Sequence, residues 1–309
     1  MPRKFDLDDG NLVLIVGSGA GGGTLGNELA QKGIRTVILE AGPRIEREQH
    51  VDNERQSFAQ LAWLDRRTTS GSWRIAKDYP NFPANVCKVV GGTTVHWGGC
   101  SLRIQDHELH AKDVYGDIAG TNLLNWPLTL AELKPYYDKA EGKMGVTGTH
   151  GIPLLDADNN QIVMAAGAKK VGYKECSTGN MAINSRPRDG RPATIQDGFC
   201  FQGIRSNAKW STLNSEIPKG EASGNAVGAT RIIRTPPGPS AHNLGTCRLS
   251  HRPEDGVCNK WGQTHDIENL FISDGSQFTT STAENPTLTI VALAIRQAHY
   301  IADQMANHL

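Results

Sequence analysis

The sequence lacks a surplus of charge of either sign: 32 Lys and Arg stand against 32 Asp and Glu, for a formal charge of zero. That balance argues against a nucleic-acid or anionic-membrane binder, whose affinity rests on excess Lys and Arg. Long apolar runs are missing as well. Alanine aside, the longest aliphatic run is Leu12 to Val16, far short of the roughly 20 residues a spanning helix needs, so no membrane span is expected. The first ten residues, MPRKFDLDDG, place Asp6, Asp8 and Asp9 where a secretory leader needs an apolar stretch. The expectation is a cytoplasmic protein, with export alongside a partner subunit left open. Cysteines are few and scattered (Cys87, Cys100, Cys176, Cys200, Cys247, Cys258), with no C-x-x-C pair. A disulfide framework or a closely paired zinc or iron–sulfur site is therefore not expected, and the thiols read as reduced and mostly buried. There is no H-E-x-x-H, no G-x-S-x-G elbow, and no Tyr followed four residues later by Lys. The only Gly-Lys pair, Gly142-Lys143, runs into Met144, so no phosphate-binding P-loop exists.

Backbone punctuation is what the chain has in quantity: 34 Gly and 15 Pro in 309 residues, a globular but loop-rich composition of one large or two ordinary domains. Leu12-Val-Leu-Ile-Val16 reads as a buried parallel strand. A helix closed by Gly33 and a second strand, Arg35 to Glu40, follow it and make a β-α-β unit of about 30 residues. Further strands are expected at Val86 to Val90 and Leu270 to Ser273, and a weaker one at Arg231 to Arg234. Thr129-Leu-Ala-Glu132 is a capping box, with Leu128 and Leu133 as its hydrophobic staple and Pro135 set to kink or shorten the helix. A second helix starts with Asn285 as N-cap and Pro286 as its first residue. It buries Leu288, Val291, Ile295, Ala298, Ala302 and Met305, which step by three and four. There is no internal repeat. The polar stretch from about 148 to 240 offers few elements.

The chemistry begins at Gly17-Ser-Gly19-Ala20-Gly-Gly22, between the first strand and its helix. Gly17 permits a tight turn, Gly19 a close backbone approach to a pyrophosphate, and Gly22 close helix–strand packing. The helix N-terminus beginning near Ala20 offers free N–H groups to phosphates. Glu40, at the end of the second strand, can accept from ribose hydroxyls, which favours an unphosphorylated ribose and hence FAD or NAD over NADP. The plainer reading is a glycine-rich turn between packed elements. A second glycine loop, Gly91-Gly92-Thr93-Thr94 with His96 close behind, is one a nicotinamide dehydrogenase does not need. Downstream lie His242-Asn-Leu-Gly245-Thr246-Cys247, Asp274-Gly275-Ser276, and Asn285-Pro286-Thr287.

With these motifs in this order, the sequence resembles the glucose–methanol–choline (GMC) family of FAD-dependent oxidoreductases, most closely its bacterial sugar and polyol dehydrogenases. The resemblance covers most of 11–225 and nearly all of 228–309. It implies an α/β fold, a Rossmann-like FAD-binding domain with a reduced substrate region. Residues 1–225 would form the N-terminal FAD-binding part, and residues 226–309 would complete it and carry the catalytic pair. The same resemblance puts FAD against Gly17, Gly19, Ala20, Gly22, Glu40, Gly91, Gly92, Thr93, Thr94, His96, Asp274, Gly275, Asn285, Pro286 and Thr287. His242 and Asn285, 43 residues apart, would face the flavin N5. His242 would take the hydroxyl proton of an alcohol or sugar as hydride leaves for the flavin, with Asn285 donating to the developing oxyanion. Taken singly, His242 also reads as a satisfied loop histidine and Asn285 as a helix cap. His107-Glu-Leu-His110 has ligand-like spacing but no third ligand, so a solvated face is the plainer reading and no metal is expected.

Relatives of this kind continue after Asn225 through an adenine-contacting strand and a substrate-domain sheet, a block not found here. Weak FAD binding, slow turnover and self-association are therefore expected. The partners are a small alcohol or sugar and an external electron acceptor. Two alternatives stand beside the dehydrogenase: a non-catalytic nucleotide-binding remnant, and a non-redox lyase on the same scaffold.

Overall fold

The computed structural model describes residues 5–6, 8–53, 61–63, 83–198, 200–224, 226–228, 242 and 244–307. Strand β1 (Leu12–Val16), helix α1 (Ala20–Gln31) and strand β2 (Arg35–Leu39) form the expected unit. The two strands pair in parallel, Leu12 opposite Arg35 and Val16 opposite Leu39. A third parallel strand, Ala226–Gly228, lies on the far side of β2, so the small sheet has β2 at its centre. Gly33, at φ +82°, reverses the chain behind α1 as the sequence suggests. Gly26 lets α1 lie low on the sheet, because a Cβ there would stand 2.7 Å from Ile38 Cδ1.

The expectation that β1 is buried is overturned. Ile15 points into the core, but Leu14 and Val16 are 59% and 81% exposed. Strand side chains alternate between faces; α1 covers one face of β1, and among the described residues nothing covers the other.

Two other strands shift or shrink. The one expected at Val86 to Val90 runs instead over Pro83–Cys87, antiparallel to Leu61–Trp63. By Val90 the chain has turned, its N–H bonding to Pro43 O, to enter the loop at Gly91 and Gly92. Leu270 to Ser273 makes a single bridge, Phe271 with Gln263, and no strand. The candidate at Arg231 to Arg234 lies outside the described residues. After two short helices, α2 (Asp106–Leu109) and α3 (Ala111–Tyr115), helix α4 spans Leu130–Met144. Its capping box forms, Glu132 N to Thr129 Oγ1 at 3.2 Å and Thr129 N to Glu132 Oε2 at 2.9 Å, and the stapling residues Leu128 and Leu133 are buried. Pro135 does not shorten it: near the N-terminus it removes one backbone donor and the helix continues.

Helix α5 (Asn159–Lys170) was not foreseen: its apolar residues Ile162, Val163 and Met164 are consecutive rather than periodic, and none of its residues is buried. Helix α6 (Glu216–Ala222) precedes the third parallel strand. The last helix, α7 (Thr287–Asn307), buries Leu288, Val291, Ile295 and Ala298 as the periodicity requires. It begins one residue later than expected. Ile290 N bonds to Pro286 O, which makes Pro286 the cap and leaves Asn285 outside the helix. α7 joins α1 and the sheet through Ile15, Leu29, Ile38, Ala294 and Ala298, and joins α4 in a larger core holding Tyr137, Trp210 and Phe278. The thiols are all free, but only Cys87 and Cys258 are buried, fewer than expected in so loop-rich a chain. Among the described residues no helix is long and apolar enough to cross a membrane.

Candidate active site

The two glycine loops, far apart in sequence, touch back to back. A Cβ on Gly92 would stand 2.9 Å from Gly19 Cα, and Gly91 and Gly92 adopt φ of +93° and +53°. Gly22 fills its expected role, since a Cβ there would lie 2.1 Å from Gly17 O. Gly21, not singled out from sequence, admits the third motif: its Cβ would fall 1.5 Å from Ser273 O, the residue before Asp274. Among the described residues nothing lies within 4 Å of where a Cβ on Gly17 would be. Among the described residues the turn into α1 is therefore open beside Gly17, the shape a pyrophosphate needs.

Ser18 locks this junction and was missed in the sequence. Its Oγ donates to Glu40 Oε2 at 2.5 Å and accepts from Gly91 N at 2.9 Å, while its carbonyl accepts from Thr212 Oγ1 at 2.8 Å. Thr94 Oγ1 donates to Gly91 O at 2.5 Å and accepts from Thr212 N at 3.1 Å, and Thr93 Oγ1 accepts from Cys87 N at 3.3 Å. Glu40 itself accepts from Ser18 N, Ser18 Oγ, Ala41 N and Gly42 N. Its lone pairs are thus already turned to the loop, and a ribose hydroxyl would have to displace the Ser18 hydroxyl.

His96 is buried, with Nδ1 2.5 Å from Phe201 O and its ring edge-on to His50 at 6.3 Å. Burial lowers the pKa of His96 against the opposing Phe201 carbonyl, and burial with His96 and Lys209 lowers His50 to about 4. Both rings are neutral at neutral pH. Beneath them Lys209, wholly enclosed, donates to Val95 O at 2.9 Å, Trp97 O at 2.7 Å and Cys200 O, while burial drives its ammonium down to about 7. It ties the segment after Thr94 to residues 200–209. No sequence signal distinguished this lysine.

The expected pair meets. Asn285 Nδ2 lies 3.3 Å from Nε2 of the exposed His242. An amide nitrogen can only donate, so in this contact His242 Nε2 is the acceptor. Asn285 thus uses its side chain across the loop, just ahead of the cap at Pro286 and of Thr287, the first residue of α7. The segment after His242 runs along the third motif: Gly245 N bonds to Gly275 O at 3.2 Å and Cys247 N to Ser276 O at 2.8 Å. Asp274 is exposed, and its Oδ1 accepts from Ser276 N at 2.8 Å. The pair and the glycine loops are therefore linked through 273–276.

His107 is exposed, in keeping with a solvated face. Asp138, Glu141 and His150 do bring ligand atoms within 4.8 Å of one another. That cluster already holds a cation, because Arg103 donates to both Glu141 oxygens and to Asp138 at 2.6–2.7 Å.

Residues 177–294 match the GMC oxidoreductase family model. The chain is 50% identical over 78 residues to the 2-methyl-1,2-propanediol dehydrogenase of Mycolicibacterium austroafricanum, covering 25% of this chain and 14% of that protein. It is 26% identical over 238 residues to the fructose dehydrogenase large subunit of Gluconobacter japonicus, covering 66% and 43%. It is 30% identical over 205 residues to the 6'''-hydroxyparomomycin C oxidase of Streptomyces lividus, covering 62% and 35%. Each match spans less than half the length of the curated relative.

Proposed function

On the premise that residues 177–294 are a GMC oxidoreductase segment, we propose that this protein is an FAD-dependent oxidoreductase acting on the CH–OH group of an alcohol, polyol or sugar. The observation that carries this reading is the His242–Asn285 pair, linked through 273–276 to two touching glycine loops. In this reading the parallel sheet and α1 are the core of a Rossmann-like FAD-binding domain, completed from residue 226 onward.

The open glycine face at Gly17, Gly19 and Ala20 would hold the pyrophosphate, with Gly91 to Thr94 alongside and Asp274-Gly275 at the middle of the cofactor. Bound there, FAD supplies the hydride acceptor. The protein's own work is at the hydroxyl. His242 Nε2 takes the hydroxyl proton, a contribution of roughly 10²–10⁴ in rate. For this the hydroxyl displaces the Asn285 amide from the Nε2 lone pair, and the freed amide donates to the oxygen on which negative charge gathers. An external acceptor would take the electrons onward.

FAD should raise the melting temperature of the protein in a thermal shift assay, and NAD should not; stabilisation by NAD alone would overturn the cofactor. Glu40→Ala removes a carboxylate that buttresses Ser18 and faces the ribose end. Loss of a charge-assisted bond of about 1.5–3 kcal/mol should weaken FAD binding roughly ten- to a hundred-fold, leaving kcat at saturating FAD within about twofold. Calorimetric titration checks it, and unchanged affinity would remove Glu40 from the site. Leu14 and Val16, uncovered among the described residues, favour self-association.

A further inference from the structure

Glu108 sits in α2, inside the His107 to His110 spacing, and is 7% exposed. A buried carboxylate ordinarily keeps a cation, yet Glu108 is in no ion pair among the described residues. Both of its oxygens are taken by backbone N–H groups instead. Oε2 accepts from Gln105 N at 2.7 Å, closing the capping box of α2. Oε1 accepts from Ala283 N at 2.6 Å, 175 residues further along the chain. A cap needs only the first of these bonds.

Ala283 is two residues before Asn285, on a stretch with little burial of its own: residues 281–285 are all exposed or half-buried. The same stretch is held once more from the same side, by Trp126 Nε1 donating to Thr280 Oγ1 at 2.8 Å. Trp126 in turn bonds through its own N–H to Leu109 O at 2.8 Å, next to Glu108. Beyond the pair, Thr289 in the first turn of α7 bonds Tyr137 OH at 2.7 Å. Asn285 is thus suspended between fixed points at Ala283 and Thr289, and the nearer one is a charge-assisted bond from Glu108.

We propose that Glu108 is a positioning residue that clamps Ala283 and thereby sets the Asn285 amide against His242; the inference rests on the catalytic reading of that pair. A glutamine at 108 offers one carbonyl oxygen and turns an amide donor toward the second N–H, so it satisfies one bond at the expense of the other. An alanine satisfies neither.

Hydrogen exchange by mass spectrometry on the full chain without substrate reads the clamp. Glu108→Ala should speed exchange in 279–287 by about tenfold or more, with Glu108→Gln intermediate and 130–144 unchanged. Turnover of an alcohol substrate reads the consequence: kcat should fall by up to about 10²-fold in Glu108→Ala, with KM within about twofold. Because Glu108 acts through Asn285, the same change in an Asn285→Ala background should cost less than about twofold. Unchanged exchange in 279–287 for both variants would overturn the clamp whatever the turnover. An equal loss of kcat in both backgrounds would show a global effect and overturn the positioning role. Full turnover in Asn285→Ala, with fast exchange in Glu108→Ala, would sink the catalytic reading of the pair and with it the link to chemistry.

Discussion

Substituting His242 by alanine should lower kcat for alcohol oxidation by roughly 10²–10⁴-fold, the range removed with a general base. Nε2 accepts from Asn285 Nδ2 at 3.3 Å, which turns its lone pair to the Asn285 amide, the place a substrate hydroxyl must take to hand over its proton. His242 is exposed and belongs to no helix or strand. Its replacement should leave the melting temperature within about 1 °C, because few contacts are lost at an exposed position. Cofactor affinity should also hold, since the glycine loops and Glu40 are untouched. Steady-state kinetics beside a melting curve check this. Retention of more than about a tenth of wild-type kcat would exclude His242 as the base.

Lys143→Met should destabilise the fold by about 3–5 kcal/mol, as expected when one member of a buried charge group is removed and its partners remain. Lys143 bridges Glu28 of α1, at 2.8 Å, and Glu216 of α6, at 3.0 Å, from its place near the end of α4. Glu216 is fully buried and keeps only Asn27 Nδ2, at 2.6 Å, and a neighbouring serine hydroxyl when the lysine is gone. Glu28 retains Lys139 at 2.5 Å. The double variant Lys143→Met, Glu216→Gln should recover most of the loss, because no uncompensated charge is left inside. Chemical denaturation measures both, and a single-variant loss below about 1 kcal/mol would mean water reaches the group.

The same network sets a pH dependence. Burial alone would push the Glu28 carboxyl up, but the Lys143 and Lys139 ammoniums outweigh it and lower its pKa from 4.5. Burial opposes the charge of Lys143, and Glu216 and Glu28 raise its pKa from 10.5 nonetheless. A carboxyl with a depressed pKa contributes stability that is complete above 4.5 and lost as pH falls through the folded value. The lysine's share is complete below 10.5 and lost at still higher pH. Removing Lys143 should therefore flatten the acid limb of the stability curve.

Features whose cause is local were legible in the amino-acid sequence. Aliphatic runs and glycines mark the β-α-β unit, Thr129 and Glu132 mark the start of α4, and an apolar stripe marks α7. The pairing of His242 with Asn285 came from resemblance, since nothing in either residue's own surroundings requires it. What could not be read depends on contacts between distant segments. Thr212 and Ser18 meet across 194 residues, and Ala283 and Glu108 across 175. Lys209 and Glu108 bond to backbone groups, which carry no side-chain signature at the other end. The unbroken aliphatic run of β1 likewise misleads about its exposed face, because a run of that kind is the pattern of a strand covered on both sides. Helix α5 escaped for a related reason: with no buried side, it has no hydrophobic period.

In the proposed function this chain passes hydride from an alcohol carbon to a bound flavin, with His242 taking the proton. Its most direct test is the visible spectrum of the FAD-loaded protein, mixed without oxygen with a panel of diols, sugars and primary alcohols. The oxidised-flavin absorbance should bleach with at least one of them, and in His242→Ala the bleaching should slow by roughly 10²-fold or more. A protein that holds FAD yet keeps its full oxidised spectrum with every member of the panel would contradict it, as would bleaching at an unchanged rate without His242.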